Sequence, residues 1–244
     1  MKTVFKKETL FELHRMREKC KARDFRSIFL TPSHLYLFVI LVLRALIIRL
    51  IPSRTTMYFI RKPIDSLNPV RHEPGYVFKT FDRCSDEIIR FAEARSSENK
   101  DLIGEIYLDI LKNRFQKGVL ACSLLNDKND IVSIFFTSNQ STFIEQVREY
   151  FEPEDLEIII ADIYTLKEYR RKGLYLILLN HAGAYYLKQG FKSFVMWIMK
   201  HNRATVMAQL KAGFTSVFQT VRLFSWFGIS KVSYNKTVIP LDRL

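Results

Sequence analysis

Residues 168 to 175 read Glu168-Tyr169-Arg170-Arg171-Lys172-Gly173-Leu174-Tyr175, and the meaning of this octet decides the fold. Three cations and a glycine stand between an apolar run, Leu156 to Thr165, and a segment with apolar residues at Leu174, Ile177, Leu178, Ala182 and Tyr185. The first pattern predicts a buried strand and the second a helix face, so the octet is the turn that joins them. A helix start carries unpaired backbone N–H groups and roughly half a unit of positive charge. A glycine there lets the backbone approach a phosphate with no Cβ in the way. The ligand this arrangement suits is a pyrophosphate.

Downstream of the octet the helix is predicted over 173–189 and ends at Gly190, followed by a short apolar strand, Ser193 to Met199. A further helix is expected over 202–211, and two strands close the chain. Asn202 is followed nine residues later by Lys211, and then by Gly213 and Phe214. Upstream, the pattern gives a strand over 76–81, helices over 86–94 and 102–115, and strands over 119–125 and 131–137. The polar residues 126–130 mark the hairpin between the last two. A helix is expected over 142–150. The class is mixed α/β with one strand, helix, strand crossover.

The order strand, R-x-x-G-x-x, helix, Gly, apolar strand, N-x8-K-x-G-F resembles the GCN5-related N-acetyltransferase (GNAT) superfamily. The likeness runs from Leu156 to Phe214, with weaker agreement from Tyr76 onward. It implies a GNAT-type acyl-CoA N-acyltransferase fold whose central sheet splays open between the strands at 156–165 and 193–199. The backbone of Ile163, Tyr164 and Thr165 would then hydrogen-bond the pantetheine arm of acetyl-CoA, or of another acyl-CoA. Arg170, Arg171, Lys172, Gly173, Leu174 and Tyr175 would hold the pyrophosphate, and Asn202 would lie near the cofactor. The acceptor would be a primary amine.

The sequence departs from that family's pattern in places that bear on the chemistry. Tyr175 stands where a second small residue is usual, a variant met in relatives linked to surface polysaccharides, which points to an amino sugar or glycolipid precursor as acceptor. Gln209 stands where many relatives place a tyrosine that protonates the leaving thiolate. A glutamine amide cannot surrender that proton at neutral pH. Ile159 occupies the position of a frequent glutamate base, which leaves Glu157 and Asp162 as the candidate catalytic carboxylates. The same departures fit an alternative, a catalytically degenerate acyl-CoA-binding module.

The charge distribution sets the first quarter of the chain apart. Residues 1–62 contain fourteen Lys and Arg against Glu8, Glu12, Glu18 and Asp24, out of a net +13 for all 244 residues. Such clustering calls for a polyanionic neighbour, an anionic membrane surface or, as a second alternative, nucleic acid or a protein target. Within it, residues 35–51 are strongly apolar between Pro32 and Pro52. Three readings compete for this stretch. A span needs about 20 apolar residues and tolerates Arg44 and Arg49 poorly. An interfacial helix lets the arginines snorkel. A buried packing helix is the third. The expected organisation is therefore a helical basic and apolar appendage over 1–62, a Pro-containing linker over 63–75, and the N-acyltransferase domain over 76–244. Cys20, Cys84 and Cys122 lack metal or disulfide spacing, and His181 and His201 are not placed to share a metal, so no metal site is expected. The expected setting is cytoplasmic, peripheral at the inner face of the membrane.

Overall fold

Seven of the eight residues of Ile131–Ser138 are buried, which an antiparallel strand achieves only with both faces covered. Val132 and Phe135 enter one core and Ile131, Ile134 and Phe136 another, so the strand sends side chains to both faces, its strict alternation broken near an irregularity between Ile134 and Phe136. This strand lies inside a large sheet in the computed structural model, which describes residues 53–68, 74–99, 104–226, 229–236 and 238–244.

The strands are β1 (Ser53–Pro63), β2 (Val77–Phe81), β3 (Leu120–Leu125), β4 (Ile131–Ser138), β5 (Thr142–Ile144), β6 (Glu149–Phe151), β7 (Glu157–Thr165), β8 (Ser193–Met199), β9 (Ser216–Trp226), β10 (Ile229–Asn235) and β11 (Ile239–Pro240). The helices are α1 (Asp86–Glu98), α2 (Gly104–Gln116), α3 (Leu174–Leu187) and α4 (Arg203–Lys211). The main sheet runs β10-β9-β1-β8-β7-β4-β3-β2, with β11 beside β9, and β5 and β6 form a separate hairpin. Every pairing in it is antiparallel except that of β7 with β8, the two strands joined through α3. Helices α1 and α2 cover one face of the β2-β3-β4 half, and α3 lies against the opposite face. The β5–β6 hairpin contributes Ile144 and Val147 to a third core over β1, β8 and β9. This mixed α/β architecture is the one the GNAT resemblance implies.

Three expectations change. Ser53–Pro63, assigned above almost wholly to the appendage, forms a strand inside the sheet, between β8 and β9. Its Met57, Tyr58, Phe59 and Ile60 are buried, so the core of the expected catalytic domain is incomplete without it. The start of the expected linker is packed structure as well. Ile64 is 3% exposed, and a Cβ on Gly183 of α3 would stand 3.0 Å from Ile64 Cγ2 and 3.1 Å from Leu67 Cδ1, so the glycine lets that segment lie close against the helix. Finally, residues 142–150, expected as a helix, form the β5–β6 hairpin. Ile144 and Val147 are three apart, as on a helix face, but they reach the core from a strand end and the turn after it, where Arg148 takes a positive φ of 56°.

The remaining appendage, including the apolar stretch 35–51, lies outside the described residues. Among those described, no helix is long and apolar enough to cross a membrane.

Candidate functional site

β7 and β8 run side by side only from Glu157↔Ser193 to Ile160↔Met196, and then part. Each keeps its outer neighbour: β8 stays paired with β1 as far as Met57↔Met199, and β7 with β4 as far as Ser133↔Thr165. The inner edge of β7 beyond Ile160 is thus left open to an extended ligand, which could add to it as a strand would. The pairing of β7 with β4 jumps from Phe136↔Ala161 to Ile134↔Tyr164, so Asp162 and Ile163 together oppose the single residue Phe135. This is a β-bulge, and it bends the strand where the sheet opens. Asp162 sits in it at φ 49°.

The cleft formed where the strands part is lined by Ala161, Asp162 and Ile163 from β7, Trp197 and Met199 from β8, and Asn202 at the start of α4. The Asn202 side chain accepts a hydrogen bond from the Thr205 amide at 3.1 Å and so caps α4. Met57, Gln146 and Thr205 also reach the cleft. Nothing local in the sequence singles out these three: Met57 and Gln146 come from β1 and the β5–β6 hairpin, which were expected as other structure, and Thr205 is an ordinary residue of an expected helix.

Asp162 is engaged on both oxygens. Arg95 of α1 donates to Oδ1 at 2.8 Å and Arg114 of α2 to Oδ2 at 2.6 Å. Arg95 also bonds the Tyr107 hydroxyl. Burial acts to raise the Asp162 pKa, but the hydrogen bond and charge of Arg95, joined by those of Arg114, outweigh it and hold the carboxyl below its ordinary range. A carboxylate so held is a poor proton acceptor and a strong clamp. The two arginines did leave a trace in the sequence: Arg95 follows the core residue Phe91 by one helical turn, and Arg114 sits between the core residues Leu111 and Phe115.

Glu157 lies at the other end of β7, 3% exposed and away from the cleft. Arg61 Nε is 2.5 Å from its Oε1, Ser193 donates to the same oxygen at 3.0 Å, and the Glu154 amide donates to Oε2 at 2.9 Å. The structure therefore brings Asp162, Ile163 and Asn202 to one cleft and leaves Glu157 outside it.

The cationic octet forms the turn after β7. Gly173 caps α3 at φ 74°, in the left-handed region, and a Cβ built there would meet nothing within 4 Å. Its carbonyl receives the first helical donors, Leu176 and Ile177, so the Leu174 and Tyr175 amides precede the hydrogen-bond ladder and point out of the helix end. Arg171 and Lys172 are exposed. Arg170 folds back, donating from Nε to the Thr165 carbonyl at 2.9 Å, with a terminal nitrogen 3.9 Å from Glu98. Glu98 also accepts from the Tyr164 hydroxyl and the Lys167 amide, each at 2.8 Å, and so ties the end of α1 to this turn. Leu174 is a core residue, 1% exposed.

Tyr175 points inward. Its hydroxyl donates to Gln209 at 2.8 Å, joining α3 to α4, and burial raises its pKa although the Gln209 bond opposes this. Two of the departures from the family pattern are thus partners: the tyrosine at 175 satisfies the buried glutamine at 209. Cys122 is fully buried, and burial pushes its thiol up to about 12, which rules it out as a nucleophile at neutral pH. Among the described residues no group of three or more His, Cys, Asp or Glu is placed to hold a metal.

Comparison with known proteins adds to the fold. No family model and no curated protein sequence matches the chain. A functionally unknown conserved protein from Staphylococcus epidermidis superposes on 71% of this chain and 62% of its own, at 12% identity and a TM-score of 0.50. A GCN5-related N-acetyltransferase from Sphaerobacter thermophilus does so over 82% and 56%, at 14% identity and a TM-score of 0.48. An aminoglycoside 6'-N-acetyltransferase from Acinetobacter baumannii covers 57% and 90%, at 14% identity and a TM-score of 0.42. The first superposition is a likeness of fold alone, and the two looser ones bear on neither activity nor substrate. The chain thus spans 62% of the length of the first of these proteins and 56% of the second.

Proposed function

We propose that the chain belongs to the GNAT superfamily and is an acyl-CoA-dependent N-acyltransferase, with acetyl-CoA as the simplest donor and the primary amine of a small molecule as acceptor. One observation carries the reading: the open inner edge of β7, beyond Ile160, leads into a cationic helix start whose glycine leaves room for a phosphate. An acyl-CoA has that shape, an extended amide-bearing arm ending in a pyrophosphate. The sequence pattern from Leu156 to Phe214 supports the same reading independently.

In this reading the thioester supplies an activated acyl carbon. The acceptor amine attacks it, the C–N bond forms, the C–S bond breaks, and coenzyme A leaves as its thiolate, while the proton lost by the acylated nitrogen passes through solvent to that sulfur. The chain contributes position: β7 aligns the arm, the turn at 170–175 anchors the phosphates, and the bulge at Asp162 fixes the strand end. Asp162 serves as a clamp between α1, α2 and β7, and Glu157 as a structural partner of Arg61. Neither acts as the general base, and the amine enters the cleft already neutral. An amino sugar is the acceptor class we favour, by analogy through Tyr175. A cytoplasmic enzyme held at an anionic membrane surface by residues 1–62 accords with the charge of that segment.

The test is calorimetric titration of acetyl-CoA and of coenzyme A into the full chain and into an Arg171→Glu/Lys172→Glu variant, two exposed changes that leave the core untouched. Binding by the parent and its loss in the variant, with an unchanged circular dichroism spectrum, is the expected result. Failure of the parent to bind either compound would end the proposal. Gln209 favours one second reading, a module that binds acyl-CoA without turning it over, which predicts binding with no thiol released on any amine.

A further inference from the structure

At Met199 the cleft adjoins a second hollow, of about 500 Å³, within the range of about 300–1,000 Å³ usual for small-ligand sites. Arg54, Thr55 and Thr56 of β1 line it, with Lys200, His201 and Arg203 at the end of β8 and the start of α4. No Asp or Glu is among its lining residues, and Leu244, which also lines it, makes no ion pair with these cations through its terminal carboxylate. Elsewhere several cations are matched: Arg61 with Glu154 and Glu157, Arg95 and Arg114 with Asp162, Arg170 with Glu98, Lys79 with Glu87, and Arg90 with Asp130. Lys62, Arg222 and Lys231 on the strands make no ion pair among the described residues but do not gather around one concavity. Among the described residues Arg54, Lys200 and Arg203 have no acidic partner within ion-pair distance. Three unmatched cations around one concavity repel each other and attract an anion.

The hollow lies on the β8 side of the opening, whereas the turn at 170–175 follows β7 on the other side. The two cationic places therefore flank the cleft. The chain leading into Arg54 adds to the case, since residues 1–52 contain eleven Lys and Arg against four acids.

Resting on the acyl-CoA reading of the β7 side, we infer that this hollow is the anion subsite of the acceptor. It takes a phosphate-bearing amine, whose phosphate meets Arg54, Lys200 and Arg203 while its amino group reaches the cleft past Met199. The phosphate belongs either to a soluble compound or to a lipid headgroup, which share the chemistry of anionic phosphoryl oxygens that accept hydrogen bonds from cationic side chains.

The experiment titrates ethanolamine and O-phosphoethanolamine into the full chain, with and without saturating coenzyme A, and into an Arg54→Glu/Lys200→Glu/Arg203→Glu variant. A parallel arm measures flotation of both proteins with phosphatidylcholine vesicles that do or do not contain phosphatidic acid. All three changes are at exposed positions, and circular dichroism checks the fold. The expected result is at least a roughly tenfold preference for the phosphorylated amine, lost in the variant while coenzyme A binding persists. A phosphate-dependent difference between the two proteins seen only on vesicles supports the subsite and assigns it to lipid. Equal affinity for the two amines together with equal flotation of the two proteins overturns the inference. So does loss of coenzyme A binding in the variant, which would give the hollow to the cofactor's own phosphates. If the parent fails to bind coenzyme A yet prefers the phosphorylated amine, the acyl-CoA reading falls and the anion site stands.

Discussion

Where β7 and β8 part, two arms leave the sheet, and their charges are handled in opposite ways. On the β7 arm, Arg95, Arg114 and Arg170 are matched: two converge on Asp162, and the third turns back to Thr165 and Glu98. On the β8 arm, Arg54, Lys200 and Arg203 surround a hollow with no Asp or Glu in its lining. Charge neutralised within the fold fixes geometry, because a buried carboxylate between two guanidiniums admits few arrangements. Charge left unmatched at a concave surface is free to act on a ligand. The β7 arm thus reads as scaffold up to its exposed pair, Arg171 and Lys172, and the β8 arm as binding surface.

The largest effect expected from breaking this contrast is at Asp162. Asp162→Asn keeps the side-chain shape and tolerates the positive φ, so it removes little except the charge. Two guanidiniums would then face each other uncompensated, at a cost of roughly 3 kcal/mol in thermal or urea unfolding. The pH dependence has a definite sign. The folded-state pKa of Asp162 is depressed, so the stability it contributes is present above the unfolded value of about 3.9 and is lost as pH falls through the lower folded value. The gap between parent and variant should therefore be constant near neutrality and close only in acid. A gap that closes between pH 5 and 7 would mean that Asp162 titrates as a catalytic base would.

A smaller effect is expected where α3 meets α4. Tyr175→Phe leaves the buried Gln209 without its partner and should cost about 1–2 kcal/mol. Amine acetylation by this variant should stay within about twofold of the parent once the loss of folded protein is accounted for, since the hydroxyl points at Gln209. A drop in kcat of tenfold or more would instead identify Tyr175 as the proton donor to the thiolate.

How much of this was legible in the sequence follows from the range of the interactions. The β7 arm could be read because its signals are local: an apolar strand, a cationic turn and a glycine at a helix start lie within twenty residues. The β8 arm could not. Its hollow needs Arg54 beside Lys200 and Arg203, and that depends on β1 pairing with β8 across some 140 residues of chain. No local pattern encodes such a register. Ser53 to Pro63 contains a plain strand run, Met57 to Ile60, yet it stands after a basic and apolar stretch and before several prolines, so its neighbours assigned it to an appendage. The clamp on Asp162 was half visible, as cations on buried helix stripes, but which acid they meet is a tertiary fact.

At Gly173 the cost of a side chain is conformational and not steric. Gly173→Ala must place a Cβ at φ 74° with no atom within 4 Å, so stability should fall by only about 1 kcal/mol. Because that open space is where a phosphate would approach, acetyl-CoA binding should weaken more than the stability loss accounts for. Equal losses would separate the turn from the cofactor.

The smallest effect tests the β8 arm by itself. Lys200→Gln and Arg203→Gln remove exposed, unmatched charges and should change stability by less than about 0.5 kcal/mol. The sign is informative where the size is not. Relieving repulsion around Arg54 should make the double variant slightly more stable than the parent at low ionic strength. The difference should fade as salt shortens the screening length to a few ångströms. A scaffold pair would behave the other way, since removing a matched cation destabilises and salt restores little of a buried loss. If the double variant loses stability at every salt concentration, Lys200 and Arg203 hold the fold together as Arg95 and Arg114 do, and the contrast between the two arms disappears.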